Sequence, residues 1–131
     1  MKILVGYDGS IEAKDALKLA QKYAKSMSAK IVVVKSVTRH HPLDHEVIQT
    51  AEKKLEDEIR NQFNGDSASY ETRLLVSSRS SGENLVWFSE LGKIDEIIMG
   101  VRKRSKVNKL LMGSTAQYVI LNAPCPVVTI K

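Results

Sequence analysis

The chain has 131 residues, of which 43% are hydrophobic and 27% charged, and this predicts a single globular domain spanning residues 1–131. No apolar run approaches the roughly 20 residues of a membrane span, and MKILVGYDGS begins a strand rather than a signal peptide, so we expect no membrane association. Cys125 is the single cysteine, which excludes an internal disulfide and predicts a reducing compartment, the cytoplasm.

Two alternating patterns along the chain predict its secondary structure. Apolar, β-branched runs are typical of buried strands, and apolar residues recurring every three or four positions are typical of helices with one buried face. Ser10 is the predicted N-cap of the first helix. Val47 and Trp87 are predicted to face inward from the second and third helices. In chain order we predict a strand at 2–6, a helix at 11–27, a strand at 31–37, a helix at 44–61, a strand at 70–76, a helix at 82–91, a strand at 94–99, a helix at 114–121 and a strand at 127–130.

This strict alternation of strands and helices predicts the fold class. Strands that are apolar throughout are covered on both faces, which is typical of a parallel sheet. Right-handed crossovers then give an α/β fold, an open, doubly wound, five-stranded parallel sheet of the Rossmann-like kind with helices on both faces. Ligands of such folds bind beyond the carboxyl ends of the strands, where the strand order reverses. The turn after the first strand and the loop after the fourth are expected to lie there.

The loop after the fourth strand carries all of the excess positive charge. The chain has 20 Lys and Arg against 15 Asp and Glu, a net charge of +5, and the loop between Gly100 and Gly113 has five basic residues and no acid. Gly113-Ser114-Thr115 then opens a helix. Backbone N–H groups at a helix start and nearby cations can together hold a phosphate chain. The basic residues are Arg102, Lys103, Arg104, Lys106 and Lys109.

Motifs at both ends of the chain point to a known family. ILVGYDGS at 3–10, GSTAQYVILNAPCPVVTI at 113–130 and the spacing of Gly100 from Gly113-Ser114 resemble the universal stress protein family over the whole chain. Its ATP-binding members carry Gly-x2-Gly-x9-Gly-Ser/Thr around the phosphates and ribose. The resemblance implies an adenine nucleotide α-hydrolase-like fold and binding of ATP or another adenine nucleotide, with Mg²⁺ or Mn²⁺ able to bridge the phosphates.

Lys103 stands where the family has its middle glycine, and two interpretations stay open. If the glycine serves a positive φ, a lysine costs about 1–2 kcal/mol there, or the loop takes another path. If the glycine lets the backbone approach the phosphates, the lysine can fill that space and supply charge, together with Arg102 and Arg104. The second interpretation predicts an ATP-binding regulatory module. The alternative is a dimeric interaction protein of the same family that binds no nucleotide.

The resemblance also implies roles for residues at the strand ends. Asp8 would contact the adenosine, although a carboxylate there can also cap its own turn. The backbone near Ser36 and Val37 would meet the adenine edge. Ser114 and Thr115 could meet a phosphate or only cap the last helix. The predicted nucleotide-binding residues are Gly6, Tyr7, Asp8, Ser36, Val37, Met99, Gly100, Arg102, Lys103, Arg104, Gly113, Ser114 and Thr115.

Other chemistries are less well supported by the sequence. His40, His41 and His45 are close together, but Pro42 breaks the local helix and no cysteine joins them, so we predict a solvated loop and no metal site. The sequence has no Walker A pattern and no identifiable nucleophile–base pair. We therefore expect at most slow hydrolysis of ATP. Nucleic-acid binding through the basic loop lacks an aromatic platform or a recognised motif.

The last strand predicts how the protein assembles. Residues Val127, Val128, Thr129 and Ile130 end the chain and are expected at the edge of the sheet, where an apolar strand would be exposed. Family members of this type pair such strands across a two-fold axis, so the resemblance implies a homodimer through the fifth strand. An exposed edge softened by Thr129 and Lys131 is the alternative.

Overall fold

A computed structural model describes residues 1–101 and 112–131, so the predicted phosphate-binding residues Arg102, Lys103 and Arg104 lie outside the described part of the chain. Every predicted element is present, and no boundary is shifted by more than two residues. The elements are β1 (Lys2–Gly6), α1 (Ile11–Met27), β2 (Lys30–Thr38), α2 (His45–Phe63), β3 (Tyr70–Ser77), α3 (Ser81–Leu91), β4 (Glu96–Gly100), α4 (Ser114–Asn122) and β5 (Val127–Ile130).

The five strands form one parallel sheet in the order β3-β2-β1-β4-β5. The chain therefore builds outward from β1 in one direction and then crosses back to add β4 and β5 on the other side. The order reverses between β1 and β4, where Gly6 is in register with Met99. On the other side of β1, Gly6 is in register with Val34 of β2. The predicted open, doubly wound α/β fold is confirmed, and its switch point lies at these strand ends.

The alternation of side chains along the strands divides the core into two layers. Odd-numbered residues of β1 and β2, such as Ile3 and Val33, pack with α1 and α2. Even-numbered residues of the same strands, such as Leu4 and Val34, pack with α3 and α4. Because both faces are covered, the strands are apolar throughout, as the sequence predicted.

The helices begin as their sequences direct. The Ser10 Oγ accepts from the Ala13 N–H at 3.1 Å, which confirms the predicted cap of α1. Ser80 and Glu83 form a capping box at the start of α3. Helix α4 begins at Gly113 and has no side-chain cap. Of the three described helix starts that face the switch point, those of α1 and α3 have a serine cap and that of α4 has none.

Two predicted core positions are wrong. Val47 is 51% exposed, because α2 reaches its buried face only from Leu55 onward. Trp87 is 40% exposed and the Arg79 guanidinium lies 4.9 Å from its ring centroid. On α3 the inward positions include two polar residues, Asn84 and Ser89, each 1% exposed. These polar residues take inward positions of α3, and the tryptophan stays outside.

Candidate functional site

A cleft of about 340 Å³ opens at the carboxyl edge of the sheet, at the switch point between β1 and β4. Its walls come from the ends of β1, β2 and β4, the first turns of α1 and α3, and the start of α4. Its size falls at the lower end of the range of small-molecule sites. The lining residues are Gly6, Tyr7, Asp8, Ser10, Ala13, Val34, Ser36, Ser81, Leu85, Met99, Gly100, Val101, Gly113, Ser114, Thr115 and Ala116.

The turn after β1 places Asp8 at the mouth of this cleft. The Asp8 Oδ1 accepts from the Ser10 N–H at 2.9 Å, and Gly9 follows with φ of +82°, a conformation that glycine adopts without strain. Asp8 is exposed. The carboxylate thus caps its own turn and also lines the cleft, so the two interpretations of this residue are compatible in the structure.

Tyr7 contributes backbone to the cleft and its side chain to the opposite layer of the core. Its N–H donates to the Val34 carbonyl at 2.9 Å, which ties the end of β1 to β2. The ring is 3% exposed, and its hydroxyl donates to Glu58 Oε2 of α2 at 3.3 Å. Burial, followed by the Glu58 and Asp8 carboxylates, raises the pKa of Tyr7 to about 12. The residue is therefore a neutral anchor for the turn that carries Asp8.

The two glycines of the motif have different reasons to be glycine. A Cβ on Gly100 would stand 2.4 Å from the carbonyl carbon and 2.5 Å from the carbonyl oxygen of Glu12, so the first turn of α1 occupies that space. A Cβ on Gly113 would meet nothing within 4 Å. Packing inside the protein thus requires glycine at 100. At 113 the described residues leave open space, which a ligand can enter.

The start of α4 forms the polar end of the cleft. Gly113, Ser114 and Thr115 all line it. Because no side chain caps this helix, the N–H groups of its first turn are not satisfied by a capping residue. Those groups and the helix dipole favour an anion at this position.

Apolar groups and one hydroxyl form the other end, beside β2. Val34 and Leu85 line it together with Ser36. The Ser36 Oγ accepts from the Asn84 Nδ2 at 2.7 Å, and the Asn84 Oδ1 accepts from the Ser77 Oγ at 2.8 Å. The buried Asn84 therefore ties α3 to the ends of β2 and β3.

Most of the predicted binding residues meet in this cleft. Val37 does not line it, because successive residues of a strand point to opposite faces and Ser36 occupies the cleft side. Several other residues line the cleft without having been predicted from the sequence, and of these only Val34 had a usable signal, the period of two along β2. No local pattern in the sequence indicated the remaining lining residues, or Asn84 behind Ser36. The missed lining residues are Ser10, Ala13, Val34, Ser81, Leu85, Val101 and Ala116.

The described residues contain neither a metal-binding group nor a membrane-spanning helix. Within residues 1–101 and 112–131 no group of three or more His, Cys, Asp or Glu side chains is arranged to hold a metal ion. In the same part of the chain, no helix combines the length and the apolar character needed to cross a bilayer.

Comparison with known proteins gives a consistent result. The model of the universal stress protein family matches residues 1–131. A relative from Thermus aquaticus, the universal stress protein in the QAH/OAS sulfhydrylase 3' region, is 29% identical over an alignment of 134 positions that covers 98% of this chain and 97% of the relative. A solved universal stress protein from Archaeoglobus fulgidus is 32% identical with a TM-score of 0.84, covering 100% of this chain and 98% of its own. Another from that organism, in complex with dAMP, is 28% identical with a TM-score of 0.80 at the same coverage. The chain belongs to the universal stress protein family.

Proposed function

We propose that this protein is an adenine-nucleotide-binding regulatory module of the stress response, with ATP as the first candidate ligand. The observation that carries the proposal is the cleft at the switch point, which has an uncapped helix start and the open space of Gly113 at one end and an apolar wall at the other. A phosphate chain suits the first end and a base suits the second. The relative from Archaeoglobus fulgidus that was solved with dAMP supports an adenine nucleotide.

The residues of the cleft fit each part of such a ligand. The N–H groups at the start of α4, with the Ser114 and Thr115 side chains, would hold the phosphates. The Asp8 carboxylate at the mouth can accept from a ribose hydroxyl. Val34 and Leu85 would cover the base. Arg102, Lys103 and Arg104, which the sequence predicts at this site, would add positive charge for the phosphates.

We propose binding rather than turnover as the main activity. The described cleft residues include no histidine, cysteine or lysine, and none of them pairs a nucleophile with a base. A nucleotide bound in the cleft would order the groups around it, and this ordering would be the regulatory signal. A Mg²⁺ or Mn²⁺ ion would join the site through the phosphates and neutralise their charge.

A calorimetric titration of ATP with Mg²⁺ into refolded, nucleotide-free protein tests this proposal. We expect one-to-one binding that Asp8→Ala and Lys103→Ala each weaken. The nucleotide-free alternative predicts no heat from the parent protein and binding by Lys103→Gly. Absence of binding into the millimolar range for both the parent and Lys103→Gly would refute nucleotide binding in either form. A parallel titration with single-stranded RNA at 200 mM salt tests the nucleic-acid alternative, which requires binding to persist.

We also propose a homodimer through β5. This strand ends the sheet order, and Val127, Val128 and Ile130 are half-buried while Thr129 is exposed. Ile97 donates to the Pro126 carbonyl and Val101 to the Ile130 carbonyl, so even-numbered residues of β5 pair with β4 and the backbone of Val127 and Thr129 points outward. A second copy can pair with these outward groups.

Sedimentation at micromolar concentration tests the dimer. Thr129→Pro removes an outward N–H without removing a bond to β4, so we expect a folded monomer. Val128→Pro is the matched control, because it removes a bond inside the sheet and should destabilise the fold. A parent protein that sediments only as a monomer would refute the dimer.

We also propose that the protein is cytoplasmic, because its single cysteine fits a reducing compartment.

A further inference from the structure

A chain of hydrogen bonds leads from the turn after β3 into the cleft. The Arg79 N–H donates to the Ser77 Oγ at 3.1 Å, and the Ser77 Oγ donates to the Asn84 Oδ1 at 2.8 Å. The Asn84 Nδ2 then donates to the Ser36 Oγ at 2.7 Å. Each group accepts from the one before it and donates to the next, so the chain has one direction. Its last member, Ser36, lines the cleft.

This direction determines what Ser36 offers to a ligand. Its oxygen already accepts from Asn84, and none of the residues in 1–101 and 112–131 accepts its hydrogen. A hydroxyl has one hydrogen to donate, so that hydrogen is left for a ligand in the cleft. Asn84 is 1% exposed, and both ends of its amide are bonded. A buried amide satisfied at both ends has a fixed orientation, and it fixes the hydroxyl that it contacts.

The position of Ser36 indicates which part of a nucleotide would meet it. β1 separates β2 from β4, so Ser36 lies roughly 10 Å from the end of β4, at the spacing of neighbouring strands. The anion-binding start of α4 is on the far side. Around Ser36 the cleft wall is apolar, with Val34 and Leu85. An apolar wall with one hydrogen-bond donor suits a heteroaromatic ring that carries an acceptor nitrogen.

We propose that the Ser36 hydroxyl donates to a ring nitrogen of the bound purine and that Asn84 is the positioning residue that aims it. This inference rests on the proposed nucleotide binding and adds a side-chain contact that selects the base. The ends of β1 and β4 would hold the rest of the ligand without reading its base. Loss of the Ser36 contact therefore changes which bases bind and leaves the phosphate contacts intact.

Titration of ATP and its 1-deaza, 3-deaza and 7-deaza analogues into the parent, Ser36→Ala and Ser36→Thr tests the contact. We expect Ser36→Ala to weaken ATP binding about 2- to 10-fold, as for one neutral hydrogen bond, and Ser36→Thr to retain it. One deaza analogue should bind the parent more weakly than ATP does, by the same factor that Ser36→Ala costs ATP. Ser36→Ala should cause no further loss of affinity for that analogue. That pattern identifies the nitrogen, and a general structural defect would not produce it.

The same titrations test Asn84. Asn84→Ala should reproduce the loss of ATP affinity seen in Ser36→Ala. It should have no added effect in the Ser36→Ala background, and none on the affinity for the deaza analogue that lacks the contacted nitrogen. Ser77→Ala interrupts the chain one step earlier and serves if Asn84→Ala does not fold. Ser89→Ala is the matched control, because its hydroxyl is equally buried on α3 and donates to the Leu85 carbonyl at 2.7 Å outside the chain. It should leave the analogue pattern unchanged.

The outcomes separate this inference from the proposed function. A parent protein that binds no ATP overturns both. A parent that binds ATP while Ser36→Ala binds it equally well overturns only the base contact. Equal losses for ATP and all three analogues in Ser36→Ala also overturn it, because the hydroxyl would then act on the fold and not on a ring nitrogen.

Discussion

Substituting alanine at Gly100 and at Gly113 tests the different reasons for the two motif glycines. At Gly100 the added Cβ would stand 2.4 Å from the Glu12 carbonyl carbon and 2.6 Å from its Cβ. Carbon atoms in contact prefer about 3.5–4.0 Å, so the first turn of α1 must move by roughly 1 Å. Overpacking of this kind costs about 1–3 kcal/mol. We expect the upper end, because the obstructing atoms include backbone, which cannot rotate away.

Gly113→Ala is the matched substitution at the other end of the same motif. Its φ is −67°, which alanine adopts without strain, and no atom lies within 4 Å of the added Cβ. Alanine lowers the entropy of the unfolded chain, which stabilises by about 0.4–1 kcal/mol, and it is a poorer N-cap than glycine, which offsets that gain. The net change in the free energy of unfolding should stay within about 0.5 kcal/mol.

Urea unfolding followed by circular dichroism and by the fluorescence of the single tryptophan, Trp87, measures both variants. With a urea slope of about 1–3 kcal/mol/M, Gly100→Ala should lower the midpoint by about 1–3 M, and Gly113→Ala should hardly change it. In ATP titrations the order reverses, because Gly113→Ala places a methyl group where the phosphates would lie and should weaken binding about tenfold. An unchanged midpoint for Gly100→Ala would refute the packing argument, and unchanged ATP affinity for Gly113→Ala would refute the role of its open space.

Three further predictions follow from the pKa directions. Tyr7 has a folded pKa of about 12 against its ordinary 10.0, so the folded state holds the proton more tightly: this stabilisation is present below pH 10 and is lost as the pH rises towards 12. Between pH 9.5 and pH 11.5 the urea midpoint of Tyr7→Phe should fall less than that of the parent protein. Equal falls in the two proteins would contradict this. The Ala68 N–H, with Gln21 and Lys25, lowers the pKa of Asp66, so its stabilisation is present above the ordinary pKa and disappears as the pH falls through the folded value. Asp66→Asn should therefore flatten the acid side of the stability curve, and a curve that keeps its shape would show the reasoning to be wrong. Burial, together with Asp95 and Glu96, raises the pKa of the Cys125 thiol, so iodoacetamide at pH 8 should react more slowly with the folded protein than with the protein in urea. Equal rates would rule this out.

The elements of the fold could be predicted from the sequence because their signals are local. The apolar run at Lys2–Gly6 and the three-and-four spacing of Ile11–Met27 each lie within one element. Strands that are apolar throughout imply helices on both faces, and that implies a parallel sheet with its ligand edge at the carboxyl ends. The sequence alone therefore assigns Asp8 and Gly113 to one edge of the sheet.

Other features depend on residues far apart in the chain. Glu12 and Gly100 meet only when α1 lies across the end of β4, so no pattern near Gly100 shows why alanine is excluded there. Asn84 and Ser36 are 48 positions apart, and only the folded chain brings the buried amide of Asn84 into contact with this residue of the cleft. The outward position of Trp87 is also a tertiary feature, because the packing of α3 against the sheet places Asn84 and Ser89 inside.

By itself, then, the sequence determined which segments form strands and helices, how they alternate, and at which edge of the sheet the cleft lies, since periodicity and turn chemistry act over a few residues. Only the tertiary structure decided which motif glycine is required by packing, which face of β2 enters the cleft and which hydroxyl there already accepts a hydrogen bond from a buried amide. Those features are set by distances between elements, and the chain fixes such distances only when the two layers close on the sheet.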